Sequence, residues 1–256
     1  MSLLTVKDLR LQFGGLLAVN DLSFNVEKNT ISSIIGPNGA GKTSVFNMIT
    51  GFYKPTGGEI QLDGISLINK KPSQITKLGM ARTFQNLRLF PNLSVLDNVK
   101  SGMHCRTKQA VWGALFQTKS QKEEESLIEQ VAMDCIEFVG ITKYMKRSAK
   151  NLPYGAQRYL EIARALATKP KLLLLDEPAA GLNFEEKQYL IGLIRRVRDE
   201  FNITVLMIEH DMALIKQISE HITVIDYGCK IAEGTPEEVL KNERVIEAYL
   251  GKEEVV

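Results

Sequence analysis

The chain has 256 residues, 44% hydrophobic and 24% charged, which suits a globular fold with a true core and excludes a disordered chain, a collagen or a small disulfide scaffold. Lys and Arg number 32 against 30 Asp and Glu, so a net charge of +2 leaves no electrostatic footprint for nucleic acid. The length allows between one and two domains. Cys105, Cys135 and Cys229 have neither zinc-ligand nor redox-motif spacing and read as reduced thiols of a cytosolic chain. Residues 1–10 lack a signal-peptide pattern, and no apolar run approaches the ~20 residues that a membrane helix needs. Any work at a membrane needs spans from another chain.

From Leu3 to Phe84 the patterns are mostly those of strands. Leu9, Leu11 and Phe13 alternate with polar residues, as do Leu22, Phe24 and Val26, which predicts a half-buried sheet. Ile31–Ile35 is a short apolar strand running into a glycine-rich turn. Thr56-Gly57-Gly58 reads as a turn before a strand over Glu59–Leu62, and Asp63-Gly64 as a hairpin. Gln85 to Lys150 reads as mostly helical, with Ile128, Val131, Cys135, Phe138 and Val139 at helical spacing. Beyond it, Leu172–Leu175, Ile203–Ile208 and Ile222–Ile225 are strands. Between the first two lies a helix with the apolar stripe Leu190, Ile194, Val197 and Phe201. Strands alternating with helices predict an α/β fold with a parallel sheet covered on both faces, into which the helical region is inserted.

Gly36-Pro37-Asn38-Gly39-Ala40-Gly41-Lys42-Thr43 fits the phosphate-binding loop G-x-x-x-x-G-K-[ST], between a strand and a helix carrying Val45, Met48 and Ile49. The glycines let backbone N–H groups curl around phosphate, and the following helix aims its positive end at the same anion. Lys42 suits the terminal phosphates and the Thr43 hydroxyl suits Mg2+. Lys171–Leu175 runs into Asp176-Glu177-Pro178, so these acids sit at the carboxyl edge of the sheet. Both can serve one site only if the strand ends there. Pro178 keeps Glu177 out of the helical region. Asp176 is then the Mg2+-side acid and Glu177 the base for an attacking water.

With these two motifs in place, the sequence resembles the ATP-binding subunits of ABC transporters over nearly its whole length. Gln85, in Arg82-Thr83-Phe84-Gln85-Asn86, resembles the Q-loop glutamine; Leu152-Pro153-Tyr154-Gly155-Ala156-Gln157-Arg158 resembles the signature; Ala180-Gly181-Leu182-Asn183 takes the D-loop place; and His210, in Glu209-His210-Asp211, takes that of the switch histidine. The resemblance implies a P-loop NTPase (RecA-like) core with a mainly parallel sheet, an N-terminal antiparallel β subdomain and an inserted helical subdomain, with the core in 1–85 and 160–256 and the helical part in 86–159. It implies ATP and Mg2+ as cofactors, and catalytic roles for Glu177, His210, Gln85 and Lys42. Nucleotide contacts fall to Phe13 (by stacking on the base), to residues 36–43 with Ser44, and to Leu152, Tyr154 and Gly155; Thr43, Gln85 and Asp176 would serve the metal. His104 and His221 have no such context and read as surface residues.

The signature departs from L-S-G-G-Q at Pro153, which brings no hydroxyl, and at Tyr154, which replaces a glycine. Asn183 stands where the D-loop often has Asp. These departures suggest a heterodimer with unequal sites, a homodimer being the other arrangement. Within the family the segments Gly79–Phe90 and Ala179–Asn183, the Tyr154-Gly155 variant and the ending Ala248–Gly251 resemble the LivG-type ATPases of branched-chain amino-acid importers. The stretch 105–125, with Trp112, Leu115 and Phe116, suits the longer of their two ATPase subunits. The implied partners are a second ATPase, two membrane permease subunits at the cytoplasmic face of the plasma membrane, and indirectly a solute-binding protein. A lipopolysaccharide or lipid exporter ATPase and a soluble iron–sulfur assembly scaffold are the alternatives.

Overall fold

The computed structural model describes residues 1–103, 105 and 119–250, without the side chains of 119–122 and 250. It divides into two compact units, Met1–Arg82 with Lys171–Val256, and Thr83–Pro170. The division falls at the ends of secondary-structure elements, whereas a boundary at 159/160 would cut through a continuous helix, Tyr154–Ala167. Most of the 105–125 stretch, with Trp112, Leu115 and Phe116, and His104 lie outside the described residues.

The first unit holds two sheets. Strands β1 (Ser2–Phe13), β2 (Leu16–Glu27), β4 (Gly57–Leu62) and β5 (Ile65–Ser66) form an antiparallel sheet in the order β2-β1-β4-β5. Leu9, Leu11, Leu22, Phe24 and Val26 are all buried, as their alternation predicts. Gly57 and Gly58 lie inside β4 rather than in a turn. Gly58 has φ +88, and a Cβ there would fall 2.4 Å from the Asp8 carbonyl oxygen. The β1/β4 register slips between Lys7 and Arg10, so this glycine admits a bulge. Asp63 (φ 51) and Gly64 (φ 78) supply the two positive φ values of a tight hairpin.

The second sheet runs β10 (Cys229–Gly234), β9 (His221–Asp226), β3 (Ile31–Ile35), β8 (Thr204–Ile208), β7 (Leu172–Asp176), β6 (Met80–Arg82), with β10 antiparallel to β9 and the other pairs parallel. Leu172–Leu175 are at most 1% exposed, as a strand covered on both faces requires. Helix α1 (Lys42–Ile49) lends Val45, Phe46, Met48 and Ile49 to the core shared by the two sheets. Helix α2 (Pro72–Leu78) leads into β6.

On helix α6 (Phe184–Phe201), Leu190, Ile194 and Val197 are buried but Phe201 is 47% exposed. Phe201 is the last helical residue before the left-handed Asn202 (φ 53), where the chain turns, and Ile203 beyond the turn is 5% exposed. Helices α7 (Met212–Ile218), α8 (Pro236–Leu240) and α9 (Glu243–Leu250) complete the unit.

In the second unit, α3 (Val95–Met103), α4 (Lys119–Phe138) and α5 (Tyr154–Ala167) pack on one another. Gly102 permits a close approach of α3 to α5, since a Cβ would fall 2.3 Å from the Arg164 carbonyl oxygen. Cys135, Ile136, Phe138 and Val139 are buried. Burial pushes the Cys135 thiol up to about 12, so it stays protonated and inert at neutral pH.

Candidate functional site

Three neighbouring parallel strands bring the motifs of the first unit to one edge. Ile34 of β3 and Asp176 of β7 both pair with Ile208 of β8, so the glycine loop, the two acids and His210 all follow the carboxyl ends of adjacent strands. Gly36 (φ 154) and Gly41 (φ 101) lie against other backbone: a Cβ would fall 1.9 Å from the Ile225 carbonyl oxygen and 2.7 Å from that of Ala18. Gly39 (φ 82) has no atom within 4 Å of its Cβ position. The loop is thus wedged from behind and open at Gly39.

Gly41 caps α1 without a side-chain hydrogen bond, so the first-turn N–H groups, those of Lys42, Thr43 and Ser44 among them, lack a side-chain cap. Lys42 Nζ donates to the Gly36 and Pro37 carbonyls at 2.7 and 2.8 Å. Burial lowers its pKa, while the charges of Glu177 and Asp176 oppose that shift. An uncapped helix start, a glycine opening and a lysine curled inside the loop fit a polyphosphate.

Strand β7 ends at Asp176, and Glu177 takes a left-handed backbone (φ 47). The chain therefore turns between the two acids, and alternation does not send them to opposite faces. Glu177 N–H donates to the Ile208 carbonyl at 2.9 Å, tying the turn to β8. His210 Nδ1 lies 3.7 Å from Glu177 Oε2, close but longer than a hydrogen bond, with the imidazole 60% exposed.

Two buried residues at this edge escaped sequence reasoning. Arg82, whose side chain is 5% exposed, donates from Nη2 to Asp176 Oδ2 at 2.7 Å and from Nη1 to Asn47 Oδ1 at 2.8 Å and Thr50 Oγ1 at 3.0 Å. Glu209, 1% exposed, accepts from Ala179 N–H at 2.8 Å and His210 N–H at 3.1 Å. Burial raises the Glu209 pKa, and these hydrogen bonds oppose the shift. Glu209 thus ties the segment after Glu177 to the one carrying His210. Asn183 caps α6 reciprocally with Glu186, a position that suits Asn as well as Asp.

Phe13, at the end of β1, is 47% exposed and not a core residue. Its ring meets Tyr53 edge-on, with centroids 5.4 Å apart.

Gln85, Leu152, Tyr154 and Gly155 belong to the second unit. Gln85 is exposed, Leu152 and Gly155 are buried, and Tyr154 is 44% exposed. Pro153 is the N-cap of α5 and offers no side-chain cap. Arg158 Nη1 donates to the Phe84 carbonyl at 2.9 Å and Nη2 to that of Gln85 at 2.7 Å, so the segment around Gln85 is held by α5. The His221 side chain is 39% exposed, its Nε2 lying 3.6 Å from Glu233 Oε1.

Residues 19–180 match the ABC transporter family, and residues 229–255 match the branched-chain amino acid ATP-binding cassette transporter family. The chain is 47% identical over 250 residues to the high-affinity branched-chain amino acid transport ATP-binding protein BraF of Pseudomonas aeruginosa, covering 98% of each. It is 46% identical to LivG, with the same descriptive name, of Escherichia coli K12, again over 98% of each. The chain belongs to the ABC transporter ATP-binding proteins, in their LivG/BraF group. The crystal structure of the ADP conformation of MJ1267, an ATP-binding cassette of an ABC transporter, superposes with a TM-score of 0.85 at 30% identity, covering 98% of this chain and all of that one.

As an ABC transporter ATPase, the chain binds ATP and is part of a transporter complex. Among its described residues no helix is long and apolar enough to cross a membrane. The ABC fold, with its antiparallel subdomain, mainly parallel core sheet and helical subdomain, is the one expected from the motifs.

Proposed function

We propose that this chain is the ATP-hydrolysing motor of an importer for branched-chain amino acids. It would act with a second ATPase on two membrane permease subunits at the cytoplasmic face of the plasma membrane, fed by a solute-binding protein. The observation that carries this reading is identity of 46–47% over 98% of the length of importer ATPases.

In this reading the N–H groups of residues 36–44 cradle the phosphates, and Lys42 exchanges its loop carbonyls for the terminal phosphate oxygens. Thr43 and Asp176 would hold Mg2+, which would neutralise charge on the phosphates. Glu177 takes the proton from the attacking water, and His210 lies beside it to orient the reacting groups. Leu152, Tyr154 and Gly155 face the nucleotide of the partner ATPase. Phe13 stacks on the base: Phe13→Ala should raise the KM for ATP about 5–100-fold with kcat little changed, the effect of one lost base–aromatic stack. Steady-state kinetics with varied ATP test this.

The segment after Gln85 is proposed to receive the permease. Phe90 (50% exposed) and Leu93 (42%) offer apolar surface, Leu89 is half-buried, and Val95 belongs to the core. Phe90→Asp should abolish transport by the reconstituted complex while basal ATPase stays within about twofold. Loss of folding, read by circular dichroism, would instead make Phe90 a packing residue.

Purification of the tagged chain from native membranes in mild detergent tests the whole reading. Two polytopic subunits and a second small ATPase should co-purify. Recovery of soluble partners alone would overturn it in favour of an assembly scaffold.

A further inference from the structure

Tyr154 occupies a signature position that the family pattern reserves for glycine, and its contacts lie within the helical unit. It is the first residue of α5, 44% exposed, and its hydroxyl accepts from Arg158 Nη2 at 2.8 Å, one turn along the helix. The same nitrogen donates its other hydrogen to the Gln85 carbonyl at 2.7 Å. Arg158 is 4% exposed, and Nη1 reaches the Phe84 carbonyl at 2.9 Å. Glu161, 2% exposed, lies 3.8 Å from Arg158 Nη1 and accepts from the N–H groups of Phe84 and Arg88 at 3.3 and 3.4 Å.

The backbone of 84–88 is therefore held to α5 by a buried Arg–Glu pair. A guanidinium is a rigid planar fork. When both hydrogens of Nη2 are engaged, its plane is set jointly by the Gln85 carbonyl and the Tyr154 hydroxyl. Of the polar groups on this Arg–Glu pair, the tyrosine is the one on the exposed signature face.

We propose that Tyr154 is a positioning residue that couples the signature face to the Q-loop of the same chain through Arg158. Contact on the tyrosine moves its hydroxyl, the guanidinium turns, and the Gln85 carbonyl follows, carrying the Gln85 side chain with it. That the contacting group is the partner's nucleotide rests on the function proposed above. The link from Tyr154 to Gln85 rests on the helical unit alone.

The test uses the full chain in its assembled complex, with Tyr154→Phe removing the hydroxyl and keeping the ring. Hydrogen–deuterium exchange of the amides of 84–88 should rise about 3–10-fold, as loss of one polar contact loosens the segment. Unchanged exchange would overturn the proposal. In ATP hydrolysis, Tyr154→Phe should lower kcat about 3–10-fold with KM for ATP within about twofold. In an Arg158→Lys background it should cost nothing further, because the intermediary is already gone. Additive losses, or a raised KM with kcat unchanged, would contradict the relay. If Arg158→Lys does not fold, the exchange comparison on Tyr154→Phe decides alone. Failure of the ATPase reading itself would appear as an inactive wild-type complex, with the exchange result still readable.

Discussion

Replacing Glu177 by glutamine should leave ATP bound and slow hydrolysis by about 10²–10⁴-fold, the contribution of a positioned general base. The substitution keeps size and backbone demand and removes only the capacity to take a proton. Backbone demand matters here because Glu177 sits at φ 47, a conformation costing of order 1–3 kcal/mol for a residue with a Cβ. The turn is held by Glu177 N–H on the Ile208 carbonyl and by Ala180 N–H on the Glu177 carbonyl at 3.2 Å, contacts that glutamine leaves intact. ATP affinity by calorimetry should therefore be preserved while phosphate release nearly stops. A variant turning over at the wild-type rate would remove Glu177 as the base.

Replacing Arg82 by methionine should destabilise the chain by roughly 3–5 kcal/mol, because it leaves a buried carboxylate without its counter-ion. Both side chains of the Arg82–Asp176 pair are 5% exposed, so water cannot take over the lost contact. Arg82 also binds Asn47 and Thr50 of the segment after the phosphate loop, so one guanidinium joins β6, β7 and α1 behind the site. Arg82→Lys should recover only part of the loss, since an ammonium lacks the fork that serves three partners at once. Urea unfolding of the three proteins measures this. A change within about 0.5 kcal/mol for Arg82→Met, as at an ordinary surface site, would show that the pair does not hold the edge together.

What could be read from the chain alone was what local pattern encodes. The phosphate loop, the Asp176-Glu177-Pro178 turn and the strands carrying them are contiguous stretches whose spacing has a direct physical meaning, and each lies where that spacing predicts. The alternation at Leu22, Phe24 and Val26 likewise marks a buried face. Long-range pairing was out of reach. Arg82 meets Asp176 across 94 positions and Glu209 meets Ala179 across 30, and no periodicity announces either. An arginine at the last position of a three-residue strand reads as an ordinary polar residue until the sheet order makes β6 and β7 neighbours. Gly58 reads as a turn in the sequence because glycine marks both turns and bulges, and only the β1 backbone behind it distinguishes them. Phe201 continues the apolar stripe of its helix, but it is the last helical residue and is 47% exposed, while Ile203 just beyond it is buried. Tyr154 stood out as a departure from pattern, while its bond to Arg158 became visible only in the folded helix.

The most direct test of the account measures ATP hydrolysis by the purified complex in lipid nanodiscs, with and without its solute-binding protein loaded with leucine. The loaded binding protein should stimulate hydrolysis several-fold over the empty one, and the Glu177→Gln complex should show neither basal nor stimulated turnover. Hydrolysis indifferent to the leucine-loaded binding protein would contradict the assignment of this chain as the motor of a branched-chain amino-acid importer.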